Sequence, residues 1–200
     1  HRIQKKATKF GIVIPGSVGE AHALDMVNGN DFWAKAIKKE LKNAIVAFWL
    51  LEPGEHLLVG SKPIPYHIIF DVRFDLTQKA RLVAGGHIHK DVPVHTTFSI
   101  AASCDSIQIG FLTDALNGLD IMACNIGIAF INAPNQECVH VKVGKELLGP
   151  EHEGKFAVVM QALYGPNSAS ATWRQHFSNA ITKELDYKST IADPKVYMKP

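Results

Sequence analysis

The chain has 200 residues, 46% of them hydrophobic, and a formal net charge of +2 at pH 7. This is enough apolar material for one large domain or two small ones, and the charge balance alone assigns neither a nucleic acid nor a membrane surface as partner. Three cysteines without CxxC spacing argue against a disulfide framework. We find no signal peptide and no membrane-spanning run, so we expect an intracellular protein of the cytoplasm or nucleus. Because the chain begins at His1, we also expect it to be a piece of a longer protein.

Two helices are predicted in the first part of the chain. Ser17 and Glu20 have the spacing of a capping box, so a short helix is expected to begin there. Asp31 can cap a second helix, in which apolar residues recur every third or fourth position. The apolar residues of that helix are Trp33, Ile37, Leu41 and Ala44, and its lysines are Lys35, Lys38, Lys39 and Lys42.

Strands and a third helix are predicted in the middle of the chain. The residues 66–74 and 79–84 indicate two strands separated by a polar turn around Asp75. The polar, irregular stretch 87–98 indicates a loop. Ser103 can cap the following helix, which Asn117-Gly118 would end.

The remaining part of the chain alternates again between the two kinds of element. The apolar run from Leu119 predicts a buried strand that ends at Asn125. Further strands are predicted over 139–143, over 156–160 and from Val196, with one helix before the last strand. The apolar stripe of that helix is Trp173, Phe177, Ile181 and Leu185. This order of elements predicts an α+β fold with a mixed or antiparallel sheet and packed helices.

Lys79 and Arg81 are the first candidates for chemistry. They lie two residues apart on a predicted strand, so their side chains share one face. Arginine can bind phosphate with two parallel donors and lysine supplies a point charge, so the pair could neutralise a triphosphate. The alternative is that both are exposed basic residues of a hairpin.

Asn125 is the second candidate. A two-metal nucleotidyl transferase presents a carboxylate at the end of such a strand, because Mg²⁺ requires hard, anionic oxygen ligands. Here the side chain is an amide, which could instead satisfy backbone groups at the end of the strand. A zinc site is a further alternative, since His87 and His89 would face the same side of a strand, with His95 nearby.

These blocks together resemble the reverse transcriptase of copia-type retrotransposons, from Trp33 to Pro200. The residues that carry the resemblance are Ile69-Phe70-Asp71-Val72, Lys79-Ala80-Arg81-Leu82-Val83-Ala84-Gly85-Gly86-His87, Asp120 through Pro134, Ala162-Leu163-Tyr164-Gly165, Thr172-Trp173-Arg174 and Ala192-Asp193-Pro194-Lys195-Val196-Tyr197. The resemblance implies a right-hand polymerase fold. It divides the chain into an N-terminal extension (1–30), a fingers-like region (31–118) and a partial palm (119–200).

The resemblance also implies roles for five residues. Lys79 and Arg81 match the fingers cations that contact the nucleoside triphosphate. Phe130 matches the aromatic gate that excludes a ribose 2′-hydroxyl, and Gly165 matches the glycine that packs against the template–nucleotide pair. Asn125 stands at the position of the first metal-binding aspartate. The implied cofactor is Mg²⁺, and the implied partners are an RNA or DNA template-primer, a deoxynucleoside triphosphate and the rest of a transposon polyprotein.

The same comparison predicts that this polymerase is inactive. The amide of Asn125 lacks the charge of a metal ligand, a loss on the order of a thousandfold or more in rate. The family's paired aspartates are expected just beyond Val196-Tyr197-Met198, so we expect the chain to be cut before them. The alternative function is a non-catalytic transposon remnant that binds nucleic acid or another protein. It would use Lys79, Arg81 and the basic N-terminal helices.

Overall fold

The computed structural model describes residues 7–85, 101–165 and 168–199, and within these ranges the chain is an α+β protein, as predicted. The helices are α1 (Val18–Asn28), α2 (Phe32–Ala44), α3 (Cys104–Asn117) and α4 (Ala169–Asn179). The strands are β1 (Thr8–Lys9), β2 (Ile12–Val13), β3 (Phe48–Leu50), β4 (Lys62–Pro63), β5 (Tyr66–Val72), β6 (Gln78–Ala84), β7 (Val139–Lys142), β8 (Phe156–Val159), β9 (Lys188–Ser189) and β10 (Tyr197–Met198). Short 3₁₀ turns cover Ile45–Ala47, Ala129–Asn132 and Pro150–His152, and a π-helical turn, Ala180–Glu184, extends α4.

The largest sheet has four strands in the order β3-β8-β7-β4. Its pairs are antiparallel except for β4, which runs parallel to β7. The sheet takes strands from both sides of the boundary that we expected at residue 118, because β3 and β4 precede it and β7 and β8 follow it. Residues before and after position 118 therefore share one sheet.

The hairpin β5–β6 lies beside this sheet. Its register runs over seven antiparallel pairs, from Tyr66 opposite Ala84 to Val72 opposite Gln78. The hairpin belongs to two apolar clusters. Its Leu82 and Ala84 pack with the buried valines of β7 and β8, whereas Val72 and Ala80 pack with Trp33 and Ile37 of α2 and Ala21 of α1. The hairpin thus joins the sheet to the first two helices.

The beginning of α1 has the predicted capping box. The Ser17 hydroxyl accepts a hydrogen bond from the Glu20 backbone N–H at 3.2 Å, and the Glu20 carboxylate accepts one from the Gly16 N–H at 2.9 Å. The Ser17 contact satisfies a donor that a helix leaves unpaired at its N-terminus, and the Glu20 contact holds the N–H of the residue before the cap.

The predicted cap of α2 is wrong. Asp31 lies at the N-cap position but makes no capping hydrogen bond, and its carboxylate pairs with Lys35 at 2.9 Å. The buried Asp25 of α1 caps α2 instead, because it accepts hydrogen bonds from the N–H groups of Trp33 at 3.1 Å and Ala34 at 2.8 Å. A cap that comes from another helix has no local signature in the sequence.

The predicted strand from Leu119 to Asn125 is also wrong. The residues 119–126 form an irregular, exposed segment, and no described strand pairs with them. An apolar run becomes a strand only when a neighbour supplies hydrogen-bond partners for its backbone. The preceding helix α3 is confirmed, since Ser103 caps it and Gly118 ends it at φ 60°, but none of its residues is buried.

The described ranges contain no helix that is long and apolar enough to cross a membrane. The remaining predicted strands and the helix α4 are confirmed, with bounds that shift by one to a few residues. The predicted loop 87–98 lies outside the described residues.

Candidate functional site

The hairpin places Lys79 and Arg81 on one face of β6. Asp71 lies opposite Lys79, and Ile69 lies opposite Arg81. The opposite edge of β6 is held by α2, because the Leu82 N–H donates to the Glu40 carboxylate at 2.9 Å. Both cations are half-buried, so they differ from the exposed basic residues that the alternative hypothesis expected.

The electrostatics around Lys79 are unfavourable to its charge. Burial lowers the pKa of its ammonium, and the nearby cations Arg81 and Arg73 lower this pKa further, against smaller opposing effects of Glu40 and Asp71. The positive charges near this face of β6 therefore repel Lys79. A bound anion would relieve this repulsion.

Asp71 is engaged elsewhere. Its carboxylate accepts a hydrogen bond from the Lys9 ammonium at 2.6 Å and another from the Val72 N–H at 2.8 Å. The Lys9 hydrogen bond is the main reason that the pKa of Asp71 is lowered. Because Lys9 shares this carboxylate, Asp71 offsets less of the charge on Lys79.

Tyr164 connects the arginine to an aromatic ring from another part of the chain. The guanidinium carbon of Arg81 lies 5.7 Å from the centre of the Tyr164 ring, a cation–π distance. The Phe130 ring packs edge-on against the same tyrosine, with 4.8 Å between the ring centres. We call Arg81, Tyr164 and Phe130 the Tyr164 cluster. Within the described residues, the buried Nε of Arg81 has no hydrogen-bond partner.

Gly165 brings Tyr164 to the hairpin. The Ala84 N–H donates to the Tyr164 carbonyl at 2.7 Å, and Val83 and Tyr164 form a parallel bridge. At Gly165 φ is +115°, and a Cβ atom there would lie 1.8 Å from the Ala84 carbonyl oxygen. Only glycine fits this contact, so Gly165 is required for the Tyr164 cluster to assemble.

Phe130 is held from the other side. It lies in the 3₁₀ turn Ala129–Asn132 and packs against a small apolar group at the beginning of α4. That group consists of Ala133, Ala162, Ala169 and Trp173. The aromatic ring is therefore half-exposed and held between α4 and Tyr164, the residue that also contacts Arg81.

Asn125 does not join this cluster. It lies in the exposed segment 119–126, and no hydrogen bond or ring contact among the described residues links it to Arg81 or Tyr164. A magnesium ion needs several oxygen donors, preferably with at least one carboxylate. No group of three His, Cys, Asp or Glu side chains in the described ranges could hold a metal, so the donor set around Asn125 does not fit Mg²⁺. The proposed zinc ligands His87, His89 and His95 lie outside the described residues.

Two residues of this region had no role assigned from the sequence. Tyr164 stands at the centre of the cluster, and the only signal for it was its place beside Gly165.

Asp193 is buried and ties α3 to the C-terminal turn, because it accepts hydrogen bonds from the Ser103 N–H, the Lys195 N–H and the Ser106 hydroxyl at 2.8–3.0 Å. These bonds, led by that of the Ser103 N–H, lower the pKa of Asp193 from 3.8 to about 2.

Comparison of the chain with protein-family models, with curated proteins and with solved structures finds no match. The functional argument therefore rests on the residues themselves and on the geometry that joins them. Of the five residues singled out by sequence, Arg81 and Phe130 both contact Tyr164, and Gly165 positions that tyrosine. Lys79 lies beside Arg81, and Asn125 lies apart from their contacts.

Proposed function

We propose that this chain is a reverse transcriptase-like segment of a copia-type retrotransposon, which contacts a deoxynucleoside triphosphate at the Tyr164 cluster but does not polymerise. The single observation that carries the proposal is the convergence of Arg81, Phe130 and Gly165 on Tyr164. The resemblance implies contacts with the nucleotide or the template–nucleotide pair for these three residues. Their meeting around one side chain is what a shared binding site requires.

The charges of the hairpin support a phosphate ligand. Arg81 and Arg73 both repel Lys79, and Lys9 shares the carboxylate of Asp71. A triphosphate would stabilise this arrangement, with the arginine as a forked donor and the lysine as a point charge.

The aromatic pair supports discrimination by shape. Phe130 packs against Tyr164 and the apolar group at the beginning of α4, so its ring is held by these neighbours, and Tyr164 links it to Arg81. A ring held at that place would exclude a 2′-hydroxyl without a specific hydrogen bond. The sugar of a deoxynucleotide would therefore be preferred over ribose.

The proposed lack of catalysis rests on Asn125. Its amide oxygen is neutral, and it projects from an exposed segment without carboxylate neighbours that could complete a metal site in the described ranges. When bound, Mg²⁺ would supply charge neutralisation at the reacting phosphate. The described ranges offer no donor set for that role, so the proposal separates nucleotide binding from catalysis.

Primer extension tests the catalytic half of the proposal. The 200-residue polypeptide is incubated with poly(rA)/oligo(dT), dTTP and either Mg²⁺ or Mn²⁺. We expect no incorporation above the level of a heat-denatured sample. Template-directed extension that is lost in an Arg81→Gln variant would contradict the proposal.

A second candidate function is binding of nucleic acid without chemistry. It is favoured by the exposed lysines of α2, which recur at helical spacing on one side of the helix: Lys35, Lys38, Lys39 and Lys42. If these contact phosphates, the logarithm of the binding constant should fall with the logarithm of salt by about 0.7 to 0.9 per contact. Filter binding of single-stranded RNA over a salt series measures this slope, and a slope near zero would exclude this function.

A further inference from the structure

A cleft of about 450 Å³ lies between α1, α2 and the turn that follows β7. This volume is within the range of roughly 300–1,000 Å³ that small-molecule sites occupy. Its residues come from four elements, because Val18 and His22 belong to α1, most of the others belong to α2, Ile45 begins the 3₁₀ turn after α2, and Leu147 belongs to the turn after β7. None of them belongs to the Tyr164 cluster.

The floor of the cleft is aliphatic throughout. It is formed by Val18, Ala34, Ile37, Leu41, Ile45 and Leu147. The lining contains no phenylalanine, tyrosine or tryptophan, and its one aromatic ring is the imidazole of His22, so a nucleobase would find little surface on which to stack. An alkyl chain matches this floor, because it would bury apolar surface without leaving polar groups unpaired.

The rim of the cleft is mainly cationic. Lys38 and Lys42 are exposed and lie one turn apart on α2, about 6 Å between Cβ atoms, so one anionic group can contact both. Neither forms an ion pair within the described ranges, in contrast to Lys35, which pairs with Asp31. Glu146 is the one acid of the lining, and His22 adds a third basic group.

We propose that this cleft binds a medium-chain fatty acid anion of about twelve carbons, with the alkyl chain along Ile37, Leu41 and Ile45 and the carboxylate between Lys38 and Lys42. The assignment follows from the combination of an aliphatic floor with two adjacent, unpaired ammonium groups at its edge. It does not depend on the polymerase-like function, since neither Arg81 nor Asn125 takes part.

Calorimetric titration of the full chain with laurate tests this proposal. We expect saturable binding of one laurate per chain. Shortening the ligand to decanoate and octanoate should weaken binding by up to about fourfold for each CH₂ removed from the cleft. Dodecanol, which has the same chain without the charge, should bind more weakly than laurate.

Charge variants locate the carboxylate. The double variant Lys38→Gln/Lys42→Gln should weaken laurate binding about fivefold, as expected for two exposed charge contacts. The matched control Lys35→Gln/Lys39→Gln removes two lysines of the same helix that do not line the cleft, and should bind like the unmodified chain. Ile45→Asp, at a partly exposed floor position, should abolish binding while the circular dichroism spectrum is preserved.

Three results would overturn the proposal. The first is the absence of saturable laurate binding. The second is an equal loss in both double variants, which would indicate diffuse attraction to the lysines. The third is dodecanol binding as tightly as laurate, which would exclude a role for the two ammonium groups.

Discussion

The sheet core and the segment from α3 to Ile128 contain the same kinds of apolar side chain in opposite surroundings. In the sheet, Val141 and Ala157 are completely buried. In the other segment, ten large apolar residues are between 42% and 87% exposed. They are Ile107, Ile109, Phe111, Leu112, Leu116, Leu119, Ile121, Met122, Ile126 and Ile128. An apolar sequence can therefore form a helix, as α3 does, or resemble a strand, as residues 119–125 do. Its side chains are buried only where another element packs against them.

The two regions are also held differently. The sheet and hairpin are joined by continuous apolar packing, with residues from both halves of the chain in one cluster. The helix α3 has no buried residue, and the contacts at its beginning are the hydrogen bonds of Asp193 to Ser103 and Ser106. Mutations should thus have large effects in the first region and small, local effects in the second.

The largest difference is expected for a matched pair of leucines. Leu82→Ala, at a position only 1% exposed between the hairpin and the sheet, should lower the free energy of unfolding by about 2–5 kcal/mol. Leu112→Ala, on the exposed face of α3, should change it by less than about 0.5 kcal/mol. Urea denaturation measures both values. Equal losses would contradict the contrast, because they would show that α3 is packed in solution.

A pair of glycines tests the contact that builds the Tyr164 cluster. Gly165→Ala places a Cβ atom against the Ala84 carbonyl and requires a positive φ, so we expect a loss of at least about 2 kcal/mol in the free energy of unfolding. Gly127→Ala, in the exposed segment, meets no atom within 4 Å and should change stability by less than about 0.5 kcal/mol. Denaturant titration compares the two, and a neutral Gly165→Ala variant would show that Tyr164 is not held at the hairpin.

A third pair compares two aspartates at the beginning of α2. Asp25→Ala leaves the N–H groups of Trp33 and Ala34 without their buried acceptor and should cost about 2 kcal/mol. Asp31→Ala removes only an exposed ion pair and should cost less than about 0.5 kcal/mol. The midpoint temperatures of thermal unfolding show which of the two variants loses more stability. The reverse order would restore Asp31 as the cap that the sequence predicted.

The smallest effect is a local pH dependence at α3. Hydrogen bonds lower the pKa of Asp193 from 3.8 to about 2, so its carboxylate stabilises the α3 attachment fully above pH 4, and this contribution is lost as the pH falls through about 2. The protection of the Ser103 and Ser106 amides against NMR hydrogen exchange, relative to the intrinsic exchange rate at each pH, should fall in that window. Asp193→Asn should show lower protection at neutral pH and no further change of protection in the window. An unchanged profile in the variant would exclude Asp193 as the attachment.

These pairs also indicate which features could be predicted from the sequence. The helix caps Ser17 and Ser103, the helical periodicity and the β5–β6 hairpin were predictable because their causes are local. The cap from Asp25 and the contact between Gly165 and Ala84 were not, since each depends on residues brought together by the fold. The strand predicted at Leu119 failed for the same reason, because its apolar run has no described neighbour to pair with.

The candidate site likewise has features that the sequence predicts and features that depend on the fold. The chemistry of Lys79, Arg81 and Phe130 was evident from residue type and order, and it remains the basis of the proposal. The part played by Tyr164 emerged only from the contacts of its ring with Arg81 and Phe130. Asn125 was chosen for its place in a predicted strand, and the exposed segment that replaces this strand separates it from the other candidates.

Equilibrium dialysis of the 200-residue chain with dTTP and with its ribonucleotide counterpart tests the central claim most directly. We expect saturable binding of dTTP, weakened about tenfold by Arg81→Gln, as for the loss of a charge-assisted contact of about 1.4 kcal/mol. Phe130→Ala should retain binding but lose the preference over the ribonucleotide, and the surface control Lys188→Gln should change neither. Binding that is absent, or that is the same in the chain and its Arg81→Gln variant, would contradict the assignment of a nucleotide site to the Tyr164 cluster.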